Sequence, residues 1–256
     1  MTQSPDTLEH DPKDMTLKDR ILSEVKFLAG LFAFITVFFT LVWGHYKIPS
    51  ESMQPTLEVG DHLYVSKFAY GYSRYSLPFG LDRLPFLGPG KIMSRLPKRG
   101  DVVVFKHPIS GLVMIKRLVG LPGDTIQTTG GRLYINSQLV ERKPIDHYLY
   151  REHKGRVVGV DVFSEQWDGE EQPHVIYEQT DQGRLDTAGP FVIPAERVFM
   201  MGDNRDNSID SRASSGPGMV PLDHLIGRAD LMMFSFKRCA TEEGLYCPPK
   251  RFLKPL

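Results

Sequence analysis

The clearest pattern in the chain is one long apolar run near its start. From Phe27 to Trp43 it reads FLAGLFAFITVFFTLVW without a charged residue, the low end of what crosses a bilayer, where roughly 17–25 residues are needed. Adding Gly44, His45 and Tyr46 places Trp43 and Tyr46 at an interface. Thr16 and Asp19 have the spacing of a capping box, which predicts a helix beginning near Leu17 and running into the membrane. A cleaved signal peptide wants a basic start and a small-x-small exit. Here the start carries Asp6, Glu9, Asp11 and Asp14 and the exit reads GHYKIPSES. A buried core helix is the other competing reading. Lys13, Lys18, Arg20 and Lys26 precede the run and only Lys47 follows closely, which predicts a cytoplasmic amino terminus.

Beyond the run the pattern changes to short apolar stretches divided by turns. HLYVS (62–66), Val102–Phe105, Leu112–Val119, Arg132–Ile135 with Gln138–Val140, Val192–Met201 (broken by Pro194) and Gly227–Phe236 read as strands. Residues 70–97, rich in aromatics, Gly and Pro, read as an irregular surface excursion. Residues 141–188 are polar and weakly patterned, as an inserted subdomain would be. Long helical periodicity is absent. The expected fold is therefore mainly β, an antiparallel catalytic domain (47–140 and 189–237) with an inserted β subdomain (141–188). A cytoplasmic segment (1–24) and one transmembrane anchor helix (25–46) precede it, and a tail (238–256) follows.

Composition removes several function classes. Lys+Arg and Asp+Glu are 31 each, so no basic surface marks a nucleic-acid binder. Hydrophobic residues make up 41%, an ordinary globular content. Two cysteines are too few for a disulfide scaffold or a Cys-rich zinc site. No H-E-x-x-H or G-x-S-x-G occurs. Gly88-Pro-Gly-Lys91 lacks the upstream glycine of a phosphate loop. Ser23-x-x-Lys26 lies at the anchor's edge without companion motifs. Asp203, Asp206 and Asp210 do not fit an EF-hand register.

A serine and a lysine remain. Ser52 lies in IPSESMQPTL just after the membrane exit, where Pro49 and Pro55 restrict the backbone. A rigidly held serine becomes a nucleophile only with a base nearby; an isolated one is more commonly a turn or cap residue. Lys116 sits in the strand VMIKRLV, on the face of Met114 and Leu118. Apolar neighbours strip its hydration and favour the neutral amine, which can take a hydroxyl proton. A snorkelling or ion-paired lysine is the bland alternative.

Blocks in this order and spacing resemble the bacterial type I signal peptidases, membrane-anchored proteases of the Ser–Lys class. They are PSESMQPTL (49–57), RGDVVVFK (99–106), IKRLVGLPGD (115–124) and GDNRDNSIDSR (202–212). The resemblance implies Ser52 as acylating nucleophile and Lys116 as general base. It implies Ser208 as the hydroxyl orienting the amine, and Ser50 with the Ser52 N–H as the oxyanion hole. Asp210 and Arg212 correspond to a structural ion pair, and Asp101, Arg117 and Asp124 to structural positions. Ile48, Met53, Leu57, Val104 and Ile115 would line shallow apolar pockets that admit Ala-sized residues before the cut. The substrate would add as a strand beside Ser50–Ser52 and Val113–Ile115.

The expected activity is cleavage of signal peptides from exported preproteins after a small-x-small site, without metal or cofactor. The expected location is the inner (cytoplasmic) membrane, crossed once, with the catalytic domain periplasmic. Partners would be preprotein signal peptides, the lipid bilayer and the secretion translocon, with no nucleic acid. An autocleaving Ser–Lys protein and an anchored non-catalytic adaptor are the competing functions. Some members of the class carry two anchors, whereas one is visible here. Cys239 and Cys247 either close a disulfide in an oxidising periplasm or remain two thiols.

Overall fold

The computed structural model describes residues 16–77, 88, 90–168, 172–236, 242–249 and 251–256. It opens with helix α1 (Leu17–Leu41), started by the Thr16/Asp19 capping box. The helix buries none of its residues against the rest of the protein. Its 25 residues extend about 38 Å, and it is long and apolar enough to cross a membrane.

The anchor was expected to continue through Tyr46, but the helix stops at Leu41 and Trp43–Lys47 forms strand β1. The reason is the partner available to it. Each β1 residue pairs with one of β2 (Asp61–Ser66), Trp43 opposite Ser66 and Lys47 opposite His62. The backbones approach so closely that a Cβ on Gly44 would lie 3.1 Å from the Val65 side chain. The helix end is fastened by Lys67, whose amine donates to the Phe39 carbonyl at 2.8 Å, and by the Tyr72 hydroxyl, which donates to the Leu41 carbonyl at 2.9 Å.

The remaining strands, in order, are β3 (Val102–Lys106), β4 (Val113–Gly120), β5 (Thr125–Thr129), β6 (Arg132–Ile135), β7 (Gln138–Leu139) and β8 (Glu141–Arg151). Then come β9 (Val157–Gln166), β10 (His174–Glu178), β11 (Ala188–Val192), β12 (Arg197–Met201), β13 (Val220–Pro221), β14 (Leu225–Ser235) and β15 (Phe252–Pro255). The largest sheet runs β1-β2-β14-β3-β4-β12-β13, with β15 on β14. A four-stranded sheet, β11-β5-β6-β7, and a three-stranded one, β10-β9-β8, complete the fold. All these pairings are antiparallel.

Strand β3 is an unbroken apolar run because both of its faces are covered. Val102 and Val104 join a core with Ile48, Met53 and Leu57, while Val103 and Phe105 join another with Leu118 and Leu225. The β6–β7 hairpin turns through Asn136 and Ser137 at φ 52° and 66°, both in the left-handed region that a two-residue turn requires. Ser137 accepts a conformation that glycine would adopt more easily.

The segment 141–188 contains the three-stranded sheet. Its β8–β9 hairpin is mostly exposed on β8, which explains the weak patterning of its sequence. Part of the excursion at 70–97 lies outside the described residues. A 3-10 turn at Lys67–Tyr70 leads into it, and its described part includes a second at Arg74–Ser76 and a bridge between Tyr72 and Ile92. Cys247 is disulfide-bonded; Cys239 lies outside the described residues. Next to it, Tyr246 stacks on Tyr148 at 4.0 Å.

Candidate active site

Ser52 lies in the loop between β1 and β2. The loop is closed at its base by the Ile48 N–H donating to the Asp61 carbonyl and the Gly60 N–H to the Ile48 carbonyl. The adjacent Met53 and Leu57 are fully buried, so the nucleophile segment is fixed from beneath. Lys116 is in the middle of β4, opposite Val103 of β3. The strand register thus decides where its amine emerges. Ser52 and Lys116 are 64 residues apart, and their Oγ and Nζ share a hydrogen bond. When the amine is neutral, the hydroxyl is the donor.

Ser52 is 8% exposed and Lys116 3%. Burial depresses the Lys116 amine to about 8, working against the pull of Asp210 and Asp203 towards the charged form. Arg212 adds a further small push downward.

The two groups open on a cleft of about 330 Å³. Its lining comes from Ser50 and Ser52, from Met114 and Lys116, and from the two loops that supply Arg184, Leu185, Asp206, Asn207, Ser208 and Ile209. Ser50 Oγ is 3.4 Å from Ser52 Oγ. Ser208 Oγ is buried in the same place, and among the described residues it has no hydrogen-bond partner. Ile48, Met53, Leu57, Val104 and Ile115 all pack in one core cluster behind the nucleophile. None of the five lines this cleft.

The 202–212 loop, whose Ser208, Asp210 and Arg212 the resemblance singles out, is largely interior despite its polar sequence. Asp210 and Arg212 form a bidentate pair, Nε to Oδ1 at 3.0 Å and Nη2 to Oδ2 at 2.9 Å. Burial alone would raise the Asp210 carboxyl, but Arg212 and the Gly202 and Arg212 backbone N–H groups hold it below the usual carboxylate range. Asp203 is treated in the same way by Arg117, whose guanidinium donates to both carboxylate oxygens at 2.8 and 2.7 Å. Asp203→Ala would break this buried ion pair, a loss of about 3–5 kcal/mol. A urea denaturation midpoint unchanged from the wild type would contradict this.

Other supporting residues escaped the sequence reading. The Asn204 N–H donates to the Ser52 carbonyl at 3.2 Å, and its side-chain amide donates to the Glu51 carbonyl and the Tyr150 hydroxyl. The His153 N–H, beyond β8, donates to Glu51 Oε1 at 2.6 Å, so the inserted subdomain touches the residue before the nucleophile. Arg205 and Glu165 form a second buried pair, with His174 3.3 Å from the same carboxylate. The legible signal was the density of Asp, Asn and Arg in a short segment. Their partners Tyr150 on β8 and Glu165 on β9 carry no such mark. Asp101 receives the Tyr70 hydroxyl at 2.8 Å, and Asp124 pairs with Arg99 at 2.9 Å. Among the described residues, no group of three or more His, Cys, Asp or Glu is placed to hold a metal ion.

Residues 21–234 match the family model described as signal peptidase, peptidase S26. The chain belongs to the S26 signal peptidase family. A signal peptidase I of Pseudomonas aeruginosa is 41% identical over 200 residues, covering 75% of this chain and 64% of that protein. One from Rickettsia typhi is 37% identical over 205 residues, 77% of this chain and 74% of the other. A crystal structure of a signal peptidase I from Enterococcus faecalis V583 aligns at 26% identity over 52% of this chain and 97% of its own, with a TM-score of 0.30.

Proposed function

We propose that this protein is a membrane-anchored serine endopeptidase that removes signal peptides from exported preproteins after a small-x-small site. The observation that carries the reading is the hydrogen bond between Ser52 and a buried, depressed Lys116 amine. The neutral amine takes the Ser52 proton as Oγ attacks the carbonyl carbon of the scissile bond. The oxyanion that forms is received by the Ser52 N–H and the Ser50 hydroxyl. As the carbon–nitrogen bond breaks, the ammonium returns its proton to the leaving amine, leaving an acyl ester on Ser52. Water, deprotonated by the same amine, then hydrolyses that ester.

Ser208 lines the same cleft without a hydrogen bond to the amine in this structure; we assign it the orienting of the amine in the substrate complex, with Asp210–Arg212 keeping its loop in position. The apolar core formed by Ile48, Met53, Leu57, Val104 and Ile115 limits the depth available to the residues before the cut. Small side chains are accepted for that reason. The anchor α1 crosses the inner membrane once. Lysines and arginines before the run keep its start in the cytoplasm and put the catalytic domain in the periplasm. Ser52 follows the helix end closely, so the site waits where a signal peptide leaves the lipid, close to the translocon.

The test is cleavage of an Ala-x-Ala preprotein by the full chain in detergent. Since the base must be unprotonated, kcat/KM rises with pH and levels off above about 8, following the Lys116 amine. Cleavage that is flat from pH 6 to about 9, or absent altogether, would remove lysine as the base.

A further inference from the structure

The cleft beside Ser52 has a charged residue on its rim that belongs to none of the motif blocks. Arg184 sits in a turn ahead of β11, and both it and Leu185 line the cleft. The turn is braced from several directions. Asp206 Oδ2 accepts the backbone N–H groups of Gln179 at 2.6 Å and Thr180 at 3.1 Å. The Thr128 hydroxyl donates to the Leu185 carbonyl at 2.9 Å. The Gly131 N–H donates to the Asp186 carbonyl at 3.1 Å. A Cβ on Gly183 would fall 2.5 Å from Asp206 Oδ1, so turn and catalytic loop are in direct contact. Arg184 is therefore delivered to the cleft from a fixed base.

Charge balance then singles it out. Arg117 is matched by Asp203 and Arg212 by Asp210. Lys116 must be neutral to act. The Asp206 carboxylate is engaged by two amide N–H groups. The Arg184 side chain is exposed and makes no hydrogen bond or ion pair among the described residues. The Asp206 carboxylate also lines the cleft and its charge stays unpaired among the described residues, but its Oδ2 is committed to the turn's amides; the Arg184 guanidinium keeps all its donors for a bound peptide. On the reading above, residues before the cut lie as a strand beside Ser50–Ser52 and Val113–Ile115, and we assign the part of the cleft lined by Arg184 to the chain beyond the cut.

We infer that Arg184 is a specificity determinant, favouring substrates with an Asp or Glu side chain among the first three residues after the cleaved bond, roughly 10 Å of extended chain. The inference rests on the Ser52–Lys116 reading above. A guanidinium gives a carboxylate two parallel hydrogen bonds, and a lysine at the same substrate position is repelled.

The experiment uses the full chain in detergent and three preproteins that differ only in the second residue after the cut, Asp, Asn or Lys. The readout is the Asp-to-Lys ratio of kcat/KM for each enzyme variant, which is insensitive to a general loss of activity. Wild type is expected to favour Asp about fivefold at low salt. The ratio should collapse in about 1 M salt, where screening acts over roughly 3 Å. Arg184→Lys keeps the preference, Arg184→Gln removes it and Arg184→Glu reverses it. The same ratio in wild type and Arg184→Glu would overturn the inference while leaving the Ser–Lys reading intact. Failure of wild type to cleave even the Asn preprotein would overturn that underlying reading, and the inference with it.

Discussion

Lys116→Met is expected to abolish cleavage and at the same time make the protein more stable at pH 7. The loss of activity follows from the removal of the base. Deleting a member of a nucleophile–base unit lowers kcat on the order of 10⁴–10⁶-fold, and Ser52→Ala should match it. The gain in stability follows from the same burial that makes the amine useful. In the folded protein its pKa is lowered from 10.5 to about 8. Between those values the unfolded chain holds more protons than the folded one, so stability rises with pH across that window. Below about pH 8 the folded state bears the full cost, about 3 kcal/mol. Methionine fills a similar volume without that cost. The melting temperature of Lys116→Met should therefore exceed that of wild type at pH 7, and the gap should narrow towards pH 10.5. Equal melting temperatures at pH 7 would show that the amine is hydrated in place. Retained cleavage by the variant would refute the dyad.

Gly202→Ala is expected to lower activity on the order of 100-fold, although it adds only a methyl group. Gly202 is buried between the loop of Ser208 and the loop of Ser52. A Cβ there would lie 2.3 Å from Ser208 Oγ and 2.4 Å from the Ser52 carbonyl oxygen. One of the loops must retreat. The Gly202 N–H also donates to Asp210 Oδ2 at 3.1 Å, so the glycine cannot retreat without disturbing the pair with Arg212. A displacement of about 1 Å between reacting groups costs on the order of 100-fold in kcat. Circular dichroism should remain native while kcat falls; activity within a few-fold of wild type would show that the loops yield without consequence.

These two residues differ in how much of their role the sequence displays. For Lys116 the strand VMIKRLV carries both the residue and its apolar setting, so an amine stripped of water is one reading of the alternation, with a snorkelling or ion-paired lysine as the other. Gly202 carries no comparable sign, because a glycine's role depends on what stands where its side chain would be. The five core residues Ile48, Met53, Leu57, Val104 and Ile115 show a third situation. Apolar positions near a nucleophile look alike whether they line a pocket or support it from behind. Here they pack in the interior, and the cleft surface is made by Met114, Leu185 and Ile209.

The sequence by itself determined the apolar helix, the succession of short strands, the loops holding Ser52 and Ser208 and the strand holding Lys116. Each of these depends on the order of residues within a short stretch, through hydropathy, alternation and turn chemistry. The tertiary structure alone decided that the helix yields to β1 at Trp43, because the pairing edge is β2. It also decided that the insert meets Glu51, that Glu165 on β9 neutralises Arg205, and that Arg184 reaches the cleft. Those outcomes depend on register and on contacts between distant segments. A carboxylate or guanidinium has the same appearance in the sequence whether its partner is solvent or a buried ion on another strand.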